Sequence, residues 1–167
     1  RLAGHGQEGS SLGRATLAEW HKDSLETLNI GRTLGKRVVV IACSTGVPLV
    51  LRALAEKPEA IAACIFISPN FGLAHRGSNL MLQLPWVRHW GPLIMGRTRE
   101  YEPRSEGHKK YWTTRYDVQA IYTMMEAVSA AAKLDLATFL VPLATLFCPE
   151  DQVVSPEKIR MALQRWG

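Results

Sequence analysis

Residues 38–46, Val-Val-Val-Ile-Ala-Cys-Ser-Thr-Gly, decide how the rest of the chain is read. Val38 to Ile41 form an unbroken β-branched run, the pattern of a strand buried on both faces of a parallel sheet. Val47 to Ala55 then reads as a helix, with a single charge at Arg52 and with Pro48 in the first turn, where a missing N–H costs little. Ser44 therefore stands in a strand-to-helix turn, with small residues, Ala42 and Gly46, two positions before and after it. Small neighbours let strand and helix approach closely. The turn lifts the hydroxyl clear of the sheet, beside the positive end of the helix dipole and the backbone N–H of Thr45. A plainer reading makes Ser44 an ordinary helix cap.

The stretch Val141-Pro-Leu-Ala-Thr-Leu-Phe-Cys-Pro-Glu-Asp-Gln-Val-Val-Ser-Pro156 is a second apolar strand, ending in a turn that carries Glu150 and Asp151. Ser155 and Pro156 read as N-cap and first position of a further helix, with Lys158 just inside it. An acid at the C-terminal end of a parallel strand lies on the same sheet edge as Ser44, the edge where open α/β sheets bind ligands. Either Glu150 or Asp151 could serve.

The two segments are the nucleophile elbow, here with alanine in the first position of Gly-x-Ser-x-Gly, and an acid turn following it in chain order. With Arg1-Leu-Ala-Gly-His-Gly6, they make the chain resemble the α/β-hydrolases, nearest the serine aminopeptidase-like and monoacylglycerol lipase or carboxylesterase branch. The first segment is similar to the family's Leu-x-Gly-His-Gly loop, Ala42 to Gly46 to its elbow, and Cys148 to Pro156 to its acid turn. The resemblance implies a serine hydrolase with a Ser-His-Asp triad. Ser44 is then the nucleophile, Asp151 the acid because it directly precedes the Gln-Val-Val segment, and the Thr45 N–H one oxyanion donor. Serine at this position argues against the relatives whose elbow carries aspartate, the haloalkane dehalogenases and epoxide hydrolases.

The same resemblance places the catalytic histidine after the acid, yet residues 152–167 hold none. His5, His21, His75, His89 and His108 all precede Asp151. The expectation is an internal fragment of a longer enzyme, truncated at both ends and inactive alone, with the histidine and the second oxyanion donor outside it. His5 is expected to support the pocket wall, and Cys43 to point away from the pocket.

The chain has 167 residues, 47% hydrophobic and 21% charged, enough to bury a core. No apolar run has the length of a membrane span, and the basic, glycine-rich start is no signal peptide. The three cysteines, Cys43, Cys64 and Cys148, lie in or at the ends of apolar runs, which points to buried, reduced thiols and a cytoplasmic setting. No metal or organic cofactor is implied.

Read in order, the segments give a doubly wound, mostly parallel α/β sheet. Thr16 and Glu19 form a capping box for a helix running to Leu34, stopped by Gly35. Ile61 to Ile67 is another parallel strand, and Ser68-Pro-Asn-Phe-Gly72 is the loop at its C-terminal end. Residues 1–72 and 134–167 form the hydrolase core, and residues 73–133 a helical cap. Val118, Ile121, Tyr122, Met125, Val128 and Ala132 recur at helical spacing within that insertion. Trp86, Trp90 and Trp112 read as its core.

Residues 73–116 hold eight Lys or Arg against three Glu, so this segment carries the whole net charge of +5. Solvated charge is the plain reading, and a surface steering anionic substrates or anionic lipid headgroups is the sharper one. No nucleic-acid recognition motif is present. The expected partner is a small-molecule or lipid ester, and oligomeric state is not legible. Two other classes fit the same residues: a non-catalytic α/β-hydrolase-like binding protein, and an acyltransferase using the same triad.

Overall fold

The structure is a computed structural model that describes residues 1–7, 9–82, 84, 86–103 and 105–167. Helices α1 (Gly9–Arg14) and α2 (Leu17–Leu34) precede strand β1 (Val39–Cys43), which runs into α3 (Gly46–Glu56). Strand β2 (Ala63–Ile67) leads to an insertion of α4 (Arg76–Met81), α5 (Val87–Met95), β3 (Thr98–Glu100), α6 (Glu106–Tyr111), β4 (Arg115–Asp117) and α7 (Gln119–Ala131). Strand β5 (Leu143–Leu146) and α8 (Pro156–Gln164) complete the chain.

The local signals account for these boundaries. The Thr16 side chain accepts the Glu19 N–H at 3.2 Å, while the Glu19 carboxylate accepts the Thr16 N–H at 2.8 Å, so the expected capping box starts α2. Gly35 ends that helix in extended backbone, its N–H donating to the Gly31 carbonyl. Ser155 caps α8 by accepting the Lys158 N–H at 3.3 Å, with Pro156 at the first helical position.

Strands β1, β2 and β5 form one parallel sheet in the order β1-β2-β5. Its register aligns Cys43 with Ile67 and Ile67 with Leu146, so the three strands end on a common rim. One face carries Val40, Ala42, Cys64, Phe66 and Leu143. It packs against Leu28 of α2, Leu51 and Leu54 of α3, Phe139 and Trp166. Burying each large apolar side chain here contributes on the order of 1.5–3 kcal/mol.

The opposite face corrects the expectation of a strand covered on both sides. Val39, Ile41, Cys43, Ile67 and Leu146 are exposed, Ile41 at 66%. The β-branched run is written for two covered faces, and among the described residues the helices cover one. All three cysteines are unpaired, but only Cys64 is buried. Burial pushes its thiol up to about 11. Cys43 and Cys148 are exposed, because residues at a strand end and in the turn beyond it lie outside the helical layer.

In the insertion, β3 and β4 pair antiparallel, and α7 returns to pack on α3, α2 and α1. The expected apolar stripe of α7 is only part of its buried surface. Tyr122, Met125 and Val128 are buried and Ala132 is exposed, while Ala120, Thr123, Ala127 and Ala131 are buried too. Small residues let α7 approach the core closely, and the Thr123 hydroxyl donates to the Ala15 carbonyl at 3.1 Å. Of the three tryptophans expected in a cap core, Trp90 packs against the cluster of Leu82, Val87, Val118, Tyr122 and Met125, whereas Trp86 and Trp112 are exposed. Among the described residues, no helix is long and apolar enough to cross a membrane.

Candidate active site

Ser44 comes directly after β1 and has a left-handed backbone, φ 49°, which costs a residue with a side chain on the order of 1–3 kcal/mol. Three hydrogen bonds hold it there. Its N–H donates to the Ile67 carbonyl at 2.9 Å, and its carbonyl accepts the N–H of Val47 at 3.1 Å and of Asn70 at 3.2 Å. The plainer reading of Ser44 as a helix cap does not hold, because Thr45 occupies the N-cap position of α3, with no side-chain cap bond. Among the described residues, neither the Ser44 hydroxyl nor the Thr45 N–H forms a hydrogen bond. A hydroxyl without a partner, beside the uncapped N-terminus of a helix, is open to both a base and an incoming carbonyl.

The close approach around the turn is real but looser than the sequence implies. A Cβ placed on Gly46 would lie 3.8 Å from the Ala42 Cβ, an ordinary van der Waals contact.

Asp151 sits in the turn after β5, half-buried. Its Oδ1 accepts the N–H of Val153 at 2.8 Å and of Val154 at 3.1 Å, which fixes the carboxylate against its own loop. Glu150 is exposed, and its described side-chain contact is with the Cys148 thiol at 3.3 Å. Of the two acids, Asp151 is the one with a fixed orientation.

A continuous run of hydrogen bonds joins these two turns. The Asn70 N–H donates to the Ser44 carbonyl at 3.2 Å, and the Gly72 N–H to Asn70 Oδ1 at 3.0 Å. The Ser155 N–H donates to the Gly72 carbonyl at 2.9 Å, and the Ala74 N–H to the Val153 carbonyl at 3.0 Å. Leu73 and Val154 form an antiparallel bridge between the same loops. The Ser44 turn, the loop after β2 and the Asp151 turn thus form one bonded unit on the rim.

Sequence reasoning placed Asn70 in the loop after β2 but assigned it no role. It is 1% exposed, and its side chain holds the Gly72 N–H and reaches the Thr45 Oγ1 at 3.5 Å. Asn two residues before Gly was the available signal, an Asx turn. Ser68, the first residue of the same loop, has φ 42°, nearly that of Ser44, which the sequence reading did not foresee.

His5 is exposed, with its Nδ1 3.3 Å from the Ala3 carbonyl and its ring 5.6 Å from that of Trp20. Gly4 and Gly6 shape this loop with φ 76° and 70°, and the Trp20 indole N–H pins it by donating to the Ala3 carbonyl at 2.9 Å. The other histidines are engaged elsewhere: His21 with Glu56, His75 as cap of α4, His89 with Trp86, and His108 with Tyr101 and Trp112. No histidine contacts Ser44 or Asp151 among the described residues. Cys43 lies on the exposed sheet face, and partial desolvation of its sulfur by the surrounding protein raises the thiol pKa, which reduces its thiolate character. No group of three or more His, Cys, Asp or Glu suited to a metal ion is gathered among the described residues.

The family model described as serine aminopeptidase, S33, matches residues 2–167. The chain belongs to this α/β-hydrolase family. The S33-family chain is also similar to solved structures. One is described under the names LipS and LipT, two metagenome-derived lipolytic enzymes, at TM-score 0.81 and 19% identity, covering 100% of this chain and 66% of that one. A second is the monoacylglycerol lipase of Paleococcus ferrophilus, at TM-score 0.69 and 16% identity, covering 98% and 66%. A third is a soluble variant of monoglyceride lipase from Saccharomyces cerevisiae in complex with a substrate analog, at TM-score 0.68 and 14% identity, covering 99% and 62%. The S33-family chain therefore spans about two thirds of the length of each. No curated protein sequence matches it.

Proposed function

We propose that the protein is a serine hydrolase of carboxylic esters, acting on a small-molecule or lipid ester. Ser44 attacks the ester carbonyl and passes its proton to a histidine supplied from outside this chain, which Asp151 orients and supports electrostatically. The Thr45 N–H, at the head of α3, donates to the oxyanion that forms. The intermediate expels the alcohol, and water releases the acid. Residues 73–133 act as the cap that shields the reacting centre from water.

One observation carries this reading. A serine held in left-handed backbone at an uncapped helix start is bonded through Asn70, Gly72 and Ser155 to the turn that orients Asp151. Membership of an α/β-hydrolase family and likeness to structures named as lipases support the ester class. The unpaired thiols, two of them exposed, support a reducing, cytoplasmic setting.

The test is hydrolysis of a series of p-nitrophenyl acyl esters by the intact protein. The expected result is turnover that disappears with Ser44→Ala. Turnover unchanged by that substitution would overturn the assignment.

A further inference from the structure

The peptide joining Ser44 to Thr45 is planar and trans, so its carbonyl and its N–H point in opposite directions. Whatever holds the Ser44 carbonyl therefore aims the Thr45 N–H. Two donors hold it, the Val47 N–H at 3.1 Å and the Asn70 N–H at 3.2 Å. The Val47 bond lies within the start of α3 and moves with it. The Asn70 bond comes from the loop after β2, so it ties the direction of the Thr45 N–H to the neighbouring strand. The bond from the Ser44 N–H to the Ile67 carbonyl does not do this, since it lies on the other side of the Ser44 α-carbon and leaves rotation about ψ free.

The Asn70 N–H keeps its place through its own side chain. Burying an amide side chain to 1% exposure is costly unless its ends are bonded. Asn70 Oδ1 accepts the Gly72 N–H at 3.0 Å, and Nδ2 donates to Thr45 Oγ1 at 3.5 Å, the long end of a hydrogen bond. Pro69 before it has a fixed φ, and the Pro69 carbonyl accepts the Phe71 N–H at 3.2 Å. Asn70 thus meets the Ser44–Thr45 unit twice, at the carbonyl through its backbone and at the hydroxyl through its side chain. Thr45 makes no side-chain cap bond to α3, and among the described residues Asn70 is the partner of its hydroxyl.

We infer that Asn70 is a positioning residue for the oxyanion donor: its buried side chain seats its backbone N–H on the Ser44 carbonyl, and the planar peptide then presents the Thr45 N–H to the developing oxyanion. The consequence for turnover rests on the ester-hydrolase reading, whereas the aim of the N–H rests on geometry alone. An oxyanion exists only in the transition state and the intermediate, so loss of Asn70 acts on the chemical step and leaves ground-state binding in place.

The experiment compares the intact parent with Asn70→Ala, Asn70→Ser and a stability control, Trp166→Phe, which removes the indole N–H bond to the Val141 carbonyl before β5, away from the rim. With p-nitrophenyl butyrate, well below the melting temperatures of all variants, Asn70→Ala should lower kcat about thirtyfold and leave KM within about twofold, less than the loss of an entire oxyanion donor. Asn70→Ser, whose hydroxyl can still accept the Gly72 N–H, should lie about fivefold below the parent. Trp166→Phe should melt earlier yet keep the parent's kcat. In protein labelled with 15N-threonine, the Thr45 amide resonance, identified by its loss in Thr45→Ser, should move in Asn70→Ala, move less in Asn70→Ser and stay in place in Trp166→Phe. The inference is overturned if kcat of Asn70→Ala stays within about threefold of the parent, if KM carries the loss, if Trp166→Phe loses as much, or if the Thr45 resonance does not move. Should Asn70→Ala fail to fold, Asn70→Ser decides, and a parental kcat and resonance in that variant overturn the inference. A parent without Ser44-dependent turnover would end the ester-hydrolase reading, and the Thr45 resonance would still decide whether Asn70 aims that N–H.

Discussion

Ser44 and Ser68 end neighbouring parallel strands with nearly the same left-handed backbone, φ 49° and 42°, and each donates its N–H to the next strand, to Ile67 and Leu146 respectively. The chain departs from the two serines differently. After Ser44 it turns at once into α3, leaving the Thr45 N–H open at the head of a helix. After Ser68 comes Pro69, which has no N–H to offer, and then Asn70, whose backbone and side chain are both committed to bonds. Strain and position at a strand end are thus shared by both turns. Only one of them adds donors where a negative oxygen could form.

The comparison is broken most decisively by exchanging the serines for alanine. Ser44→Ala should lower ester hydrolysis by about four orders of magnitude or more, whereas Ser68→Ala should stay within about threefold of the parent. Comparable losses in the two variants, measured as kcat/KM, would show that the helix start is not what separates the turns. The acid turn gives the next largest effect. Asp151→Ala should cost about a thousandfold in kcat, and Glu150→Gln little. Asp151→Asn should lose much of the activity while melting within about 3 °C of the parent, because an amide oxygen still accepts the Val153 and Val154 N–H groups.

Asn70 sharpens the comparison through stability. Asn70→Ala leaves the buried Gly72 N–H without its acceptor and should destabilise the fold by about 2 kcal/mol in urea unfolding. Asn70→Asp keeps that acceptor and should recover part of the loss. The smallest effect is expected at Gly46. Since a Cβ there meets only Ala42 at 3.8 Å, Gly46→Ala should shift stability by less than about 1 kcal/mol in either direction.

The parts of the fold written in local chemistry were legible. The capping box at Thr16 and Glu19, the Ser155-Pro156 helix start and the strand Val39–Cys43 each arise from a few adjacent side chains. The strand-to-helix turn at Ser44 was legible for the same reason, since small residues two positions on either side of it are a local pattern. Asp151 could be separated from Glu150 only by resemblance, because orientation depends on which carboxylate folds back onto the Val153 and Val154 N–H groups. The role of Asn70 was missed because it lies across the rim, in the loop of a different strand. The exposed sheet face was missed because an apolar run states that a strand is suited to burial and does not say what covers it. Trp86 and Trp112 misled in the same way, since a large aromatic side chain suits a core and an interface equally.

The assignment of Ser44 as nucleophile is tested most directly by labelling the intact protein with a fluorophosphonate and mapping the adduct by tryptic mass spectrometry. The account predicts the adduct on the peptide of residues 38–52, in which Ser44 is the sole serine. An adduct on the peptide of residues 53–76, which carries Ser68, or no adduct in a preparation that hydrolyses esters, would contradict it.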